Sequence, residues 1–117
     1  MSAAQAKHEL QLATRDREIV MTRVFEAPRA LVFAAFTKPE LLQRWLLGPE
    51  GWSMPICEVD LRVGGTFHYI WRNDAGGQEF GLHGIYRAVV PNERIVDVSN
   101  FDQPWYPGDA TTVTTFF

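Results

Sequence analysis

The chain has 117 residues, 46% of them hydrophobic and 21% charged, which fits one globular domain and excludes a disordered or low-complexity chain. Its net charge is −3, with Lys and Arg scattered, and this argues against a nucleic-acid partner, which would need a basic patch. A single cysteine, Cys57, rules out an internal disulfide. No N-terminal apolar run resembles a signal peptide and no stretch nears the ~20 apolar residues of a membrane span, so a soluble cytoplasmic protein is the expectation.

Residues 1–16 are small, polar and aperiodic and are expected to form a flexible arm, with a short strand near Leu10 to Leu12. "REIVMTRVF" then alternates and is rich in β-branched residues, the pattern of a strand. "APRALVFAAF" changes period. Pro28 suits a first helical turn, and Leu31, Val32, Ala35 and Phe36 form an apolar face. Thr37 and Glu40 have capping-box spacing, so a second short helix is expected over Lys38 to Trp45, with Leu41, Leu42 and Trp45 apolar.

"LGPEGWSMP" reads as a loop. "ICEVDLR" alternates, Gly64-Gly65 makes a tight turn, and "TFHYIWR" is a strand with Phe67, Tyr69 and Trp71 on one face and His68, Ile70 and Arg72 on the other. "NDAGG" is a hairpin loop. "EFGLHGIYRAVV", "RIVDVSNF" and "ATTVTTFF" are further strands, separated by "PNE" and the loop "DQPWYPGD". The result is an α+β meander: strand, helix, helix, then about five antiparallel strands. "TTVTTFF" lacks a stop signal, and two short helices cannot cover a whole sheet face, so the chain reads as incomplete at its C-terminus.

The runs "TRVFEAPRALVFAAFTKPELLQRW", "GPEGW", "DLRVGGTFHYIWR", "GIYRAVVPNERIV" and "FDQPWYPG" resemble bacterial homologues of the C-terminal domain of the heat-shock-protein-90 ATPase activator, in the SRPBCC or START-like superfamily. The likeness covers Arg17 to Phe117. It implies a helix-grip fold, in which a curved antiparallel sheet wraps a long C-terminal helix around a cavity and two short helices close one end. That long helix is not found in these residues. A START-like domain over 17–117 is therefore expected.

Core packing explains any one of Phe67, Tyr69 and Trp71, but in the implied fold their face is also the cavity wall. The polar ends of Tyr and Trp favour a partly polar ligand there. The expected cavity residues are Phe36, Trp45, Trp52, Phe67, Tyr69, Trp71, Tyr86 and Phe101. Trp105 and Tyr106 read as loop anchors. His68 and His83 read as exposed strand residues. With Cys57 they show no ligand spacing, so no metal is expected, and no cofactor is implied. Gly64-Gly65 precedes a strand and is no phosphate loop. Gly81 and Gly84 mark close approach of another element, by the resemblance the long helix. Asp60 and Arg62 suit a structural ion pair. Glu58 and Asp97 would enter the pocket only if their strands bulge. No catalytic signature is present.

The reading is thus a non-catalytic domain binding a small hydrophobic or amphipathic molecule. An exposed sheet face leaves a homodimer open to this short form. A protein-interaction role that activates a chaperone ATPase is disfavoured, because the separate N-terminal domain of such co-chaperones is missing. A third reading is an enzyme of the polyketide cyclase or aromatase type, with Tyr69 and Tyr86 as its inward candidates.

Overall fold

In the computed structural model, residues 10–15, 17–103, 108 and 110–117 are described. Residues 1–9 and 16 of the expected arm, and Trp105 and Tyr106, lie outside them. The strand expected near Leu10 to Leu12 is β1 (Gln11–Arg15), which forms an antiparallel hairpin with β2 (Glu18–Thr22). All five β2 side chains are exposed. Two helices follow, α1 (Arg29–Thr37) and α2 (Pro39–Trp45). The main sheet is a five-stranded antiparallel meander in chain order: β3 (Trp52–Val59), β4 (Thr66–Asn73), β5 (Glu79–Val90), β6 (Arg94–Phe101) and β7 (Thr111–Phe116). This is the α+β, helix-grip class of architecture that the sequence implies. Among the described residues, no helix is long and apolar enough to cross a membrane.

The helix break arises differently from expectation. Pro28 precedes α1 as its N-cap, with ψ 143°, and its carbonyl accepts from the Leu31 and Val32 amides. No capping box forms between Thr37 and Glu40. The Thr37 hydroxyl instead donates to the Phe33 carbonyl at 2.8 Å, one turn back in its own helix. Lys38 ends α1 and begins α2 in an extended conformation, φ −92° and ψ 122°, as a residue before proline must. Pro39 therefore makes the break, and its missing N–H costs nothing at the first helical position.

The face of α1 also differs. Phe33 and Thr37 are its buried residues, whereas Leu31 is 61% exposed. Phe33 is held by the edge of the Phe117 ring, 5.1 Å away, a partner from the far end of the chain. In α2 the anchor is Leu42, 1% exposed. The core joins Phe33 and Leu42 to Met54, Phe67, Tyr69, Tyr86 and Ile95.

β3 begins at Trp52, inside the segment expected to be loop. Pro55 is accommodated because β3 is an edge strand and its pairing to β4 shifts register between Ser53 and Ile56. β3 stops at Val59, short of Leu61, where the chain turns through Gly64 at φ +82°. Gly64 donates to the Tyr86 carbonyl at 2.8 Å and Gly65 accepts from the Tyr86 amide at 2.9 Å, so the turn is docked on β5. Arg62 and Asp60 form the expected ion pair at 2.8 Å, exposed on the turn.

Replacing Leu42 with Ala is expected to cost about 2–5 kcal/mol of unfolding free energy, while Leu31→Ala should stay within about 0.5 kcal/mol. Urea midpoints of the two variants check this. A larger loss at Leu31 would restore the face read from the sequence.

Candidate functional site

Register decides which side chains meet. β4 pairs with β5 as Phe67↔Gly84, His68↔His83, Tyr69↔Leu82 and Trp71↔Phe80. β5 pairs with β6 as Leu82↔Phe101, Gly84↔Ser99 and Tyr86↔Asp97. Phe67, Tyr69, Trp71, Phe80, Leu82, Tyr86, Asp97, Ser99 and Phe101 therefore share the face against which the core packs. His68, His83 and Glu58 point the other way, Glu58 lying opposite His68.

On the inner face the rings form a continuous ribbon. Tyr86 to Phe67 is 5.2 Å between centroids, Phe67 to Tyr69 5.1 Å, Tyr69 to Trp71 5.9 Å, Trp71 to Phe80 6.4 Å and Phe80 to Phe101 4.9 Å. Five of the eight expected cavity residues belong to this ribbon. Phe80 links Trp71 to Phe101 in the ribbon, and its even spacing from Leu82 and Tyr86 puts it on this face. Phe36 and Trp45 form a second group with Phe117, at 5.0 and 5.5 Å from Phe36. Trp52 starts β3 opposite Asn73 and, among the described residues, joins neither group through a ring contact.

The polar ends of the ribbon have protein partners. The Trp71 indole N–H donates to the Leu46 carbonyl at 2.7 Å, tying β4 to the end of α2. Tyr69 and Tyr86 share a side-chain hydrogen bond. Burial raises the Tyr69 hydroxyl far above its ordinary range, and the neighbouring Tyr86 adds to the rise. Burial also pushes Tyr86 up to about 12, against the lowering effect of the bond from Tyr69. The Cys57 thiol, inward on β3, is raised by burial and then by the Glu40 carboxylate, so it is a poor nucleophile.

Asp97 is the residue that spacing should have revealed. It shares parity with Phe101 and so turns inward without any bulge in β6; the bulge lies across from it, between Tyr86 and Ala88 of β5. Burial pushes its carboxyl up to about 6, and a hydrogen bond with Ser99 partly offsets this. Ser99 is also in the wall of an open hollow of about 210 Å3, lined with Leu82, Asn100, Phe101 and Thr111.

The outer face holds a second arrangement. Asp102, just past β6, bonds His68 Nε2 through Oδ2 at 2.5 Å and His83 Nδ1 through Oδ1. The two rings grip different oxygens, and among the described residues no three such side chains converge where a metal ion could sit. Burial alone would raise the Asp102 carboxyl; the two histidine hydrogen bonds and charges hold it below its ordinary value. This clasp needs Gly81, where a Cβ would collide with Asp102 Oδ2. At Gly84 a Cβ would stand 2.5 Å from Phe67 Cζ. The groups that approach these glycines within the described residues are thus a carboxylate and an aromatic ring.

A family model described as activator of Hsp90 ATPase homolog 1-like protein matches residues 26–117. The chain belongs to this family. Among solved structures, a protein from Chromobacterium violaceum is 37% identical, with a TM-score of 0.73 over 80% of this chain and 64% of its own. One from Rhodobacter sphaeroides is 29% identical, with a TM-score of 0.81 over 91% of this chain and 67% of its own. A third, from Mycobacterium smegmatis, is 18% identical at a TM-score of 0.73 and shares the fold alone. The chain thus spans 64% of the length of the first of these solved structures. No curated protein matches.

The two inward- and outward-facing acids should titrate with opposite signs. Asp97 is raised when folded, so its contribution to stability is present below its ordinary 3.8 and is lost as pH rises through about 6. Asp97→Asn should therefore melt higher than the parent at pH 7 and equal to it in acid. Asp102 is lowered when folded, so its contribution is present above 3.8 and lost as pH falls through its folded value. Asp102→Asn should melt lower at pH 7, with the gap closing in acid. Thermal melts from pH 3 to pH 8, roughly the span of the relevant carboxyl titrations, check both.

Proposed function

We propose that the START-like domain over 17–117 binds a small hydrophobic or amphipathic molecule on the inner face of its sheet, without catalysing its conversion. One observation carries the reading: the aromatic ribbon from Tyr86 to Phe101 runs into an open hollow of about 210 Å3, whose wall includes Ser99, the hydrogen-bond partner of Asp97. A mostly apolar surface with one or two fixed polar groups is what small-molecule sites have in common. Of the expected residues, Phe101 is in the hollow's wall, and Phe67, Tyr69, Trp71 and Tyr86 extend the same inner face as the aromatic ribbon.

The titrating groups favour binding over chemistry. A phenol that abstracts protons near neutral pH needs a lowered pKa, and both Tyr69 and Tyr86 are raised. They act as neutral hydrogen-bonding groups. Asp97 is a single carboxyl whose hydroxyl partner, Ser99, bears no nucleophile motif.

Nile red, an uncharged apolar dye, tests the reading. Its emission should rise saturably with a one-to-one end point, and Phe101→Ala should weaken binding about tenfold, as loss of roughly 1.4 kcal/mol of ring contact implies. A signal that does not saturate, or that Phe101→Ala leaves unchanged, refutes binding in this hollow.

A further inference from the structure

We infer that the molecule taken up on this face is a cationic amphiphile, an aromatic or aliphatic body ending in one ammonium-type head that sits against Asp97. The inference rests on the small-molecule reading above and adds the sign of the ligand's charge.

The argument starts from a count of charges by register. Among the described strands of the main sheet, Asp97 is the only acid turned inward; Glu58 and Glu79 share the face of His68 and Arg72. Among the same described strands, no Lys, Arg or His has inward register. His68, Arg72, His83 and Arg94 fall on the outer face, and Arg87, the extra residue of the β5 bulge, is exposed. On the helices Arg29, Glu40 and Arg44 are exposed, as is Lys38 between them. The described strands of the main sheet therefore present one negative charge and no positive one on the inner face.

The groups around that carboxylate do not neutralise it. Tyr86 faces it from β5, with Tyr69 and Cys57 behind on β4 and β3; Val113 faces it from β7 and Ser99 follows it on β6. All three titratable neighbours are held neutral well above pH 7 by burial. Ser99 supplies the one hydrogen bond that favours the ionised form. A half-buried carboxylate without a cation is costly, and a bound ammonium would relieve that cost. The surrounding aromatic faces add to the preference, because a ring's electron-rich face attracts cations. An anionic head, such as a fatty-acid carboxylate, would instead meet a desolvated like charge.

A matched set of probes isolates the head group: 4-phenylbutylamine, 4-phenylbutanol and 4-phenylbutyrate share one apolar body. Binding to the intact chain is followed by NMR titration. At pH 7.5 the amine is expected to bind at least about tenfold tighter than the butyrate, with the alcohol between them. Asp97→Asn should bring all three within about threefold. In the unmodified chain, amine binding should fall as pH drops below about 6 while alcohol binding stays level, and this needs no variant to fold. Equal or tighter binding of the butyrate, a preference that survives Asp97→Asn, or a pH-independent amine overturns the charge inference and leaves small-molecule binding standing, provided the alcohol binds. Failure of all three probes to bind overturns both.

Discussion

The pairing of β5 with both its neighbours is the constraint on which everything else depends. Its alternation fixes which side chains of β4 and β6 face inward, and the docking of Gly64-Gly65 on Tyr86 pins it at one end. From that one register follow the aromatic ribbon, the inward carboxyl of Asp97 and the outward pair of histidines. A slip of one residue would exchange the two sets. The glycines of β5 belong to the same constraint. Gly81 and Gly84 leave room on opposite faces, one for the Asp102 carboxylate and one for the Phe67 ring.

Much of this was legible in the sequence because it is local. Period-two alternation marks β4, β5 and β6, and the proline at 39 marks the division between two short helices. What was not legible depends on partners distant in the chain. The buried side of α1 is chosen by Phe117, eighty residues away in round terms, so a periodicity that admits several faces cannot choose among them. Thr37 had two plausible hydrogen-bond partners, and the nearer carbonyl of Phe33 won. The start of β3 at Trp52 was hidden by Pro55, which an edge strand with a register shift can hold.

The candidate site was legible in part for the same reason. Phe67, Tyr69 and Trp71 alternate within one strand, so their shared face could be read, while Tyr86 and Phe101 join it through the register of β5 and β6. Their partners could not. That the Trp71 indole is spent on the Leu46 carbonyl, and the Tyr69 hydroxyl on Tyr86, depends on how α2 and β5 lie over β4. Asp97 was within reach, since it keeps step with Phe101. Asp102 was not, because its role comes from curling over Gly81 after the strand ends.

The family relationship and the geometry address different questions. The relationship sets the architecture, and a shared fold carries no ligand with it. The ligand's chemistry has to come from the side chains this chain turns inward.

The interleaving of the two faces has an evolutionary consequence. Residues 67, 69, 97, 99 and 101 shape the inner surface, while 68, 83 and 102 hold the outer clasp, often as immediate neighbours in sequence. Point substitutions can therefore retune the inner surface for a new guest without loosening the clasp. Single-residue insertions and deletions in the same strands would swap the two sets at once. Lineages that keep this sheet should drift by substitution within β4, β5 and β6 and vary in length only at the turns between them.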